Sequence, residues 1–106
     1  MLSTEELKKI RSTFNNKSEV MATTAFKALG DVNRHRIFLL LSSHKRMTAS
    51  NIAETLKLSR PLASQHLKIL EQANIFKKEK VGQHMYYQLD KENNFTKLIM
   101  GILKKT

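Results

Sequence analysis

Apolar residues recur along this chain first at helical spacing, then at every second position, then at helical spacing again. Leu7, Ile10 and Phe14 follow Ser3-Thr4-Glu5-Glu6. A serine with a glutamate three residues later satisfies two orphan amides of a helix reciprocally, so a helix is predicted to start at Ser3. The pattern weakens over Asn15-Asn16-Lys17-Ser18, then resumes with Val20, Met21, Ala25, Phe26, Ala28 and Leu29 as far as Gly30. That spacing predicts a helical stretch with a break or kink, ended by Gly30 as a C-terminal glycine. Asp31 is the next N-cap. Ile37, Phe38, Leu40 and Leu41 then make the buried side of a helix that stops in Ser42-Ser43-His44-Lys45-Arg46.

Two short helical patterns follow. Thr48 caps one, with Ile52, Ala53 and Leu56 on its apolar side, and Ser59 caps the other. In the second, Pro61 is tolerated in the first turn and Leu62, Leu67 and Leu70 are expected to face inward. Joined by Lys57-Leu58, the pair has the outline of a helix-turn-helix. After Asn74 the period becomes two: Ile75 and Phe76, a charged run Lys77-Lys78-Glu79-Lys80, a turn at Val81-Gly82-Gln83, then Met85 to Leu89. This predicts a β-hairpin with a basic outgoing strand and an aromatic returning one. Asp90 is expected to cap a last helix, where Phe95, Leu98, Ile99, Ile102 and Leu103 form a strip more apolar than the final helix of a small monomer requires.

Composition narrows the function. With 106 residues, 41% of them hydrophobic, the chain has room for one domain over 1–106 and one modest core. Nineteen Lys and Arg against nine Asp and Glu give a net charge of +10, which favours a polyanion, nucleic acid or anionic lipid, over a merely solvated surface. The charge is spread evenly and does not itself locate a face. Zero cysteines exclude disulfides, thiolate metal sites, a cysteine nucleophile and thiol redox sensing. Met1 to Arg11 alternates charge with single apolar positions, and no apolar run reaches membrane-spanning length, so a cytoplasmic protein without membrane contact is expected.

The stretch from Thr48 to Leu89 carries the chemistry. In a winged helix the second helix enters the major groove by its N-terminal half, while the hairpin lies over phosphates or an adjacent minor groove. The residues at the start of that helix are Ser59, Arg60, Ser64, Gln65 and His66. Arg can pair with guanine O6 and N7, and Gln with adenine N6 and N7. Lys77, Lys78 and Lys80 suit phosphate contact, which needs cations but little geometry and adds affinity rather than specificity. Gly82 gives the turn access to positive φ, with Gln83 and His84 at the tip, where they probe a minor groove or simply meet solvent. Tyr86 and Tyr87 alternate across the strand, one toward the core and one on the outer face.

Phe26-Lys27-Ala28-Leu29-Gly30-Asp31 with Arg34 and Ile37 to Leu41 resembles the opening motif of the ArsR/SmtB repressors. Ile52-Ala53, the run Leu58 to Leu70, and Gly82-Gln83 with Tyr86 to Leu89 are similar to that family's recognition helix and wing, in order and spacing over roughly residues 20 to 90. The resemblance implies a mainly α protein with a small β-hairpin, a winged helix-turn-helix of order α-α-α-α-β-β-α. It further implies a homodimer through the terminal helices, residues 3–29 and 90–104, on double-stranded DNA. It places operator contacts on Arg60, Ser64 and Gln65, with His66 nearer the backbone or the core. Val32 stands where the family often has proline, and Pro61 and Leu62 offer no base-reading hydrogen bonds.

Where many of these repressors carry Cys-x-Cys for metal sensing, this chain has Thr48 and Ser50, and residues 90 to 106 contain no His for the family's second metal site. His35, His44, His66 and His84 lack ligand spacing, so neither a metal nor a cofactor is expected. A small-molecule or protein effector, or control by abundance alone, is left open. Catalysis is not expected, because the serines sit at caps and on the groove face without a triad pattern. A basic RNA-binding protein would show exposed aromatic platforms, whereas the aromatics here fall mostly on apolar faces. A winged helix used only for protein contacts would carry apolar residues in place of Arg60, Ser64 and Gln65.

Overall fold

Four helices begin on the capping residues that the sequence marks. In the computed structural model, which describes residues 1–14 and 17–104, the elements are α1 (Thr4–Ser12), α2 (Lys17–Leu29), α3 (Val32–Ser43), β1 (Met47–Thr48), α4 (Ala49–Leu56), α5 (Arg60–Gln72), β2 (Phe76–Val81), β3 (His84–Leu89) and α6 (Asn94–Lys104). The Ser3 hydroxyl accepts from the Glu6 amide at 3.1 Å, and the Ser3 amide donates back to the Glu6 carboxylate at 3.4 Å. Thr48 and Asn51 form the same reciprocal pair at the start of α4. Asp31 accepts from the Arg34 amide at 3.1 Å, and Ser59 from the Leu62 amide at 3.2 Å. Each cap satisfies donors that the first turn of a helix leaves without partners.

Three expectations change. Asp90 does not cap the last helix: its amide is held by the Ile75 carbonyl at 2.9 Å, and its carboxylate accepts from the Glu92 amide at 3.1 Å. The sheet therefore fixes Asp90 as the start of a turn, and the helix begins after Asn93, whose side chain accepts from the Thr96 amide at 3.0 Å. Gly30 does not adopt positive φ; its amide donates to the Lys27 carbonyl at 3.2 Å, tightening the last turn of α2 directly ahead of the Asp31 cap. Leu62 is exposed, because the spacing set by the buried Leu67 and Leu70 brings Ala63 and His66 inward instead. Asn15 and Asn16, and the side chains of Phe95, Ile102 and Leu103, lie outside the described residues.

The positive φ values fall where the chain must turn sharply. Lys57 (φ 57°) follows α4, with the Leu58 amide reaching back to the Ala53 carbonyl at 2.9 Å. Asn74 (φ 62°) follows α5 in the same way, and the Ile75 amide meets the Leu70 carbonyl at 3.2 Å. The β2–β3 hairpin closes through the two residues Gly82 and Gln83, with Val81 opposite His84 and Gly82 at φ 62°, the sign that a two-residue turn with glycine first requires. The expected hairpin is part of a three-stranded antiparallel sheet of order β1-β3-β2, with Met47 opposite Tyr87 and Thr48 opposite Tyr86.

The core lies where α3 crosses under α4, α5 and the sheet. Ile37 and Phe38 of α3, Ile52 of α4, Leu67 and Leu70 of α5 and Ile75 are sealed from solvent, with Phe76 and Leu89 closing the sheet side. α1 buries none of its residues. The chain extends 60 × 27 × 24 Å, and its radius of gyration, 17.1 Å, exceeds the roughly 13 Å of a compact domain this size, as expected when an element stands off the core. No helix among the described residues is long and apolar enough to cross a membrane.

Thr96 is fully buried, and its hydroxyl finds no hydrogen-bond partner among the described residues. Thr96→Val, which keeps the shape and removes the orphan hydroxyl, is expected to raise unfolding free energy by about 1 kcal/mol. Thr48→Ala should lower it by about 1 kcal/mol through loss of the α4 cap. Urea denaturation at one fixed protein concentration reads both.

Candidate nucleic-acid interface

The turn at Lys57 and the Ser59 cap set α5 across α4, with its first turns outward. Ser59, Arg60, Ser64 and Gln65 are exposed, as the sequence predicts for a helix that reads DNA. His66 is not among them: it is 8% exposed, and its Nδ1 lies 3.2 Å from Arg34 Nη1, so it points away from the face that Arg60, Ser64 and Gln65 share. Between the start of α5, the start of α4 and the hairpin tip lies a concave surface of about 570 Å³ lined by Ser50, Asn51, Arg60, Ser64, Gln83 and His84, with Tyr86 and Tyr87 on its sheet wall. Arg60 and Ser64 of α5 thus share one groove with Gln83 and His84 at the hairpin tip.

The wing lysines do not form one patch. In a strand, alternate residues face opposite sides, so Lys78 and Lys80 share the face of Phe76, and Lys77 the face of Glu79. All three are exposed and stand outside the lining of the groove. Lys78 Nζ is 3.6 Å from Glu71 of α5, which ties the base of the hairpin to the last turn of the helix.

Two features were not anticipated. The guanidinium of Arg46, exposed ahead of β1, lies over the Tyr86 ring at 4.3 Å from its centroid, and the His84 ring approaches the same tyrosine at 6.2 Å. Ser50, in the first turn of α4, accepts a hydrogen bond from Arg60 Nη1. Neither is visible in sequence, because each depends on bringing together positions 10 or 40 residues apart. Arg46 adds a cation beside the wing, and Ser50 restrains the longest side chain on the exposed face of the first turns of α5. The expected division of the tyrosines holds: Tyr87 packs on the core and Tyr86 meets Arg46 on the other face. Among the described residues, no group of three His, Cys, Asp or Glu gathers closely enough to hold a metal.

A tight helix-turn-helix followed by a two-stranded wing defines a winged-helix regulator, and comparison with known proteins agrees. Residues 31–78 match the family model described as "Bacterial regulatory protein, arsR family". The transcriptional repressor SdpR of Bacillus subtilis is 43% identical over 65 residues, covering 61% of this chain and 71% of SdpR. The HTH-type transcriptional regulator MJ1325 of Methanocaldococcus jannaschii is 36% identical over 80 residues, covering 74% and 90%. The chain belongs to the arsR family; it is a transcription regulator, not an enzyme. Its fold matches that of HlyU from Vibrio cholerae at a TM-score of 0.74, with 23% identity over 85% of this chain and 95% of HlyU. It likewise matches the homodimeric winged helix-turn-helix domain Mb0332 of Mycobacterium bovis at 0.70, with 17% identity over 97% and 84%.

At the N-cap of α3, the hydrogen bond from the Arg34 amide holds the Asp31 carboxyl below its ordinary pKa, desolvation opposes it, and the Arg34 charge adds to the lowering. A depressed pKa stabilises the fold fully above the unfolded value, about 3.9, and that stability is lost as pH falls through the folded value. Asp31→Asn keeps the cap shape without the charge. The stability difference between wild type and Asp31→Asn should therefore be constant near neutrality and shrink steadily below about pH 4, as read by urea melts from pH 2 to 7.

Proposed function

We propose that this chain is a homodimeric repressor that binds an inverted-repeat operator in double-stranded DNA in the cytoplasm. The observation that carries the reading is the shared concave surface, on which the exposed polar start of α5 and the wing tip stand together. The first turns of α5 enter the major groove, where Arg60 reads guanine and Gln65 adenine, while Ser59 and Ser64 bond nearby bases or phosphates. Gln83 and His84 reach the adjacent minor groove, and Lys77, Lys78, Lys80 and Arg46 meet phosphates.

The case for two copies rests on what the single chain leaves uncovered. Leu7 and Ile10 of α1, Phe14 just beyond its end, and Leu98 of α6 are 52, 47, 56 and 58% exposed. A row of large apolar side chains on terminal helices is covered economically by a second copy of the same helices. The homodimeric Mb0332 domain is a precedent for this arrangement in the fold. Two reading helices then sit about one turn of DNA apart, about 10 base pairs, on a two-fold symmetric site. Bound there, the dimer excludes polymerase. The absence of cysteine from the sequence favours an organic ligand or a partner protein over a thiolate-bound metal or an oxidant as the signal.

Fluorescence anisotropy with a duplex selected from a random library, against a scrambled duplex over a salt series, tests the reading. Arg60→Ala should weaken binding to the selected duplex by about 1–3 kcal/mol and relax its sequence preference. Lys80→Ala should weaken both duplexes alike and reduce the salt slope by about 1. Equal binding of wild type to both duplexes would instead indicate a non-specific or RNA-binding role. Light scattering after size exclusion should give a dimer at micromolar concentration and a monomer for Ile10→Glu.

A further inference from the structure

Under the outward face of α5 lies a polar cluster that no DNA contact uses. Arg34 of α3 donates through Nε to the Ala28 carbonyl, in the last turn of α2, at 2.6 Å. Its Nη1 lies 3.2 Å from Nδ1 of His66, which sits midway along α5 and is only 8% exposed. A guanidinium only donates, so Nδ1 accepts and the ring proton sits on Nε2. Asp31 Oδ1 is 3.9 Å from the same Nδ1, too far for a hydrogen bond, and it fixes the Arg34 backbone instead.

The guanidinium is planar and rigid, so the two bonds it makes are not independent. With Nε committed to α2 and Nη1 to α5, it gauges the separation of the end of α2 from the middle of the reading helix. Two residues before Ala28, Phe26 is exposed on α2, on the stretch assigned above to the partner copy.

We propose that Arg34 and His66 are positioning residues for DNA reading: their contact sets the posture of α5 against the end of α2 and carries displacements of α2 to the base-reading side chains. The proposal rests on the DNA-binding reading above. It differs from an ordinary packing role because it needs a hydrogen-bond acceptor at the Nδ1 position, not merely a side chain of the right volume.

The test compares wild type, His66→Leu and His66→Asn for affinity to the selected and scrambled duplexes at one salt concentration, with urea melts to establish folding. Asn places its amide oxygen where Nδ1 stands, whereas Leu fills the space without an acceptor. The expected result is that His66→Leu lowers the preference for the selected duplex about tenfold while affinity for the scrambled one stays within about twofold, and that His66→Asn restores most of the preference. An unchanged preference in folded His66→Leu overturns the proposal, and so does a His66→Asn as defective as the leucine variant. If His66→Leu does not fold, Arg34→Lys, which keeps the charge without the fork, carries the same expectation. A wild type that shows no preference defeats the DNA-reading function itself, whereas a wild-type preference that both variants retain defeats only the positioning role.

Discussion

Everything this molecule presents outward depends on burying one side of a single helix. Ala63, Leu67 and Leu70 recur at intervals of four and three along α5 and are sealed from solvent, Leu67 and Leu70 in the same core cluster as Ile37 and Phe38 of α3. Full burial of one leucine side chain contributes about 1.5–3 kcal/mol, so rotating α5 by even one residue would forfeit several such terms. The opposite side, Arg60, Ser64 and Gln65, is therefore held outward by the core. This is why a short polar segment with weak hydrogen-bonding preferences of its own is displayed in one defined direction.

The wing is fixed by a different means. β1 contributes only Met47 and Thr48, yet it anchors the returning strand on the side away from β2 and leads straight into the cap of α4. One residue, Thr48, thus belongs both to the sheet and to the start of the helix-turn-helix, so hairpin and helices cannot move independently. Arg46, immediately upstream, lies on Tyr86 of the same sheet.

Much of this was legible in the sequence because it is local. Ser3, Asp31, Thr48 and Ser59 each cap a helix through an amide three residues away, and the change to a period of two after Asn74 marks the hairpin. What was missed requires distant partners. Asp90 carries the side chain of a cap, but the Ile75 carbonyl, 15 residues earlier, commits its backbone elsewhere. His66 was read both as a groove-side residue and, from the family resemblance, as one nearer the core; the second holds, because the leucine spacing turns it inward to Arg34, a partner 32 residues away that the sequence did not give. β1 is too short for any periodicity to register. On the site, Arg60, Ser64, Gln83 and His84 line one groove, whereas Ser50 joins it, and Arg46 meets Tyr86 beside it, only through the tertiary fold.

On the proposed DNA-binding reading, the ion pair between Lys78 and Glu71 bears on how firmly the wing holds a phosphate. A lysine that already faces a carboxylate must give up that contact before it meets a phosphate, so, although the DNA still sheds its condensed cations, the net gain at Lys78 is smaller than at a lysine with no acidic neighbour. Glu71 remains on the last turn of α5 after the exchange, a fixed negative charge beside the polyanion. The last turn of α5 thereby supplies a competitor for the hairpin's lysine. Such a competitor weakens a contact that carries no sequence information, while the far end of α5, with Arg60 and Ser64, is untouched by it.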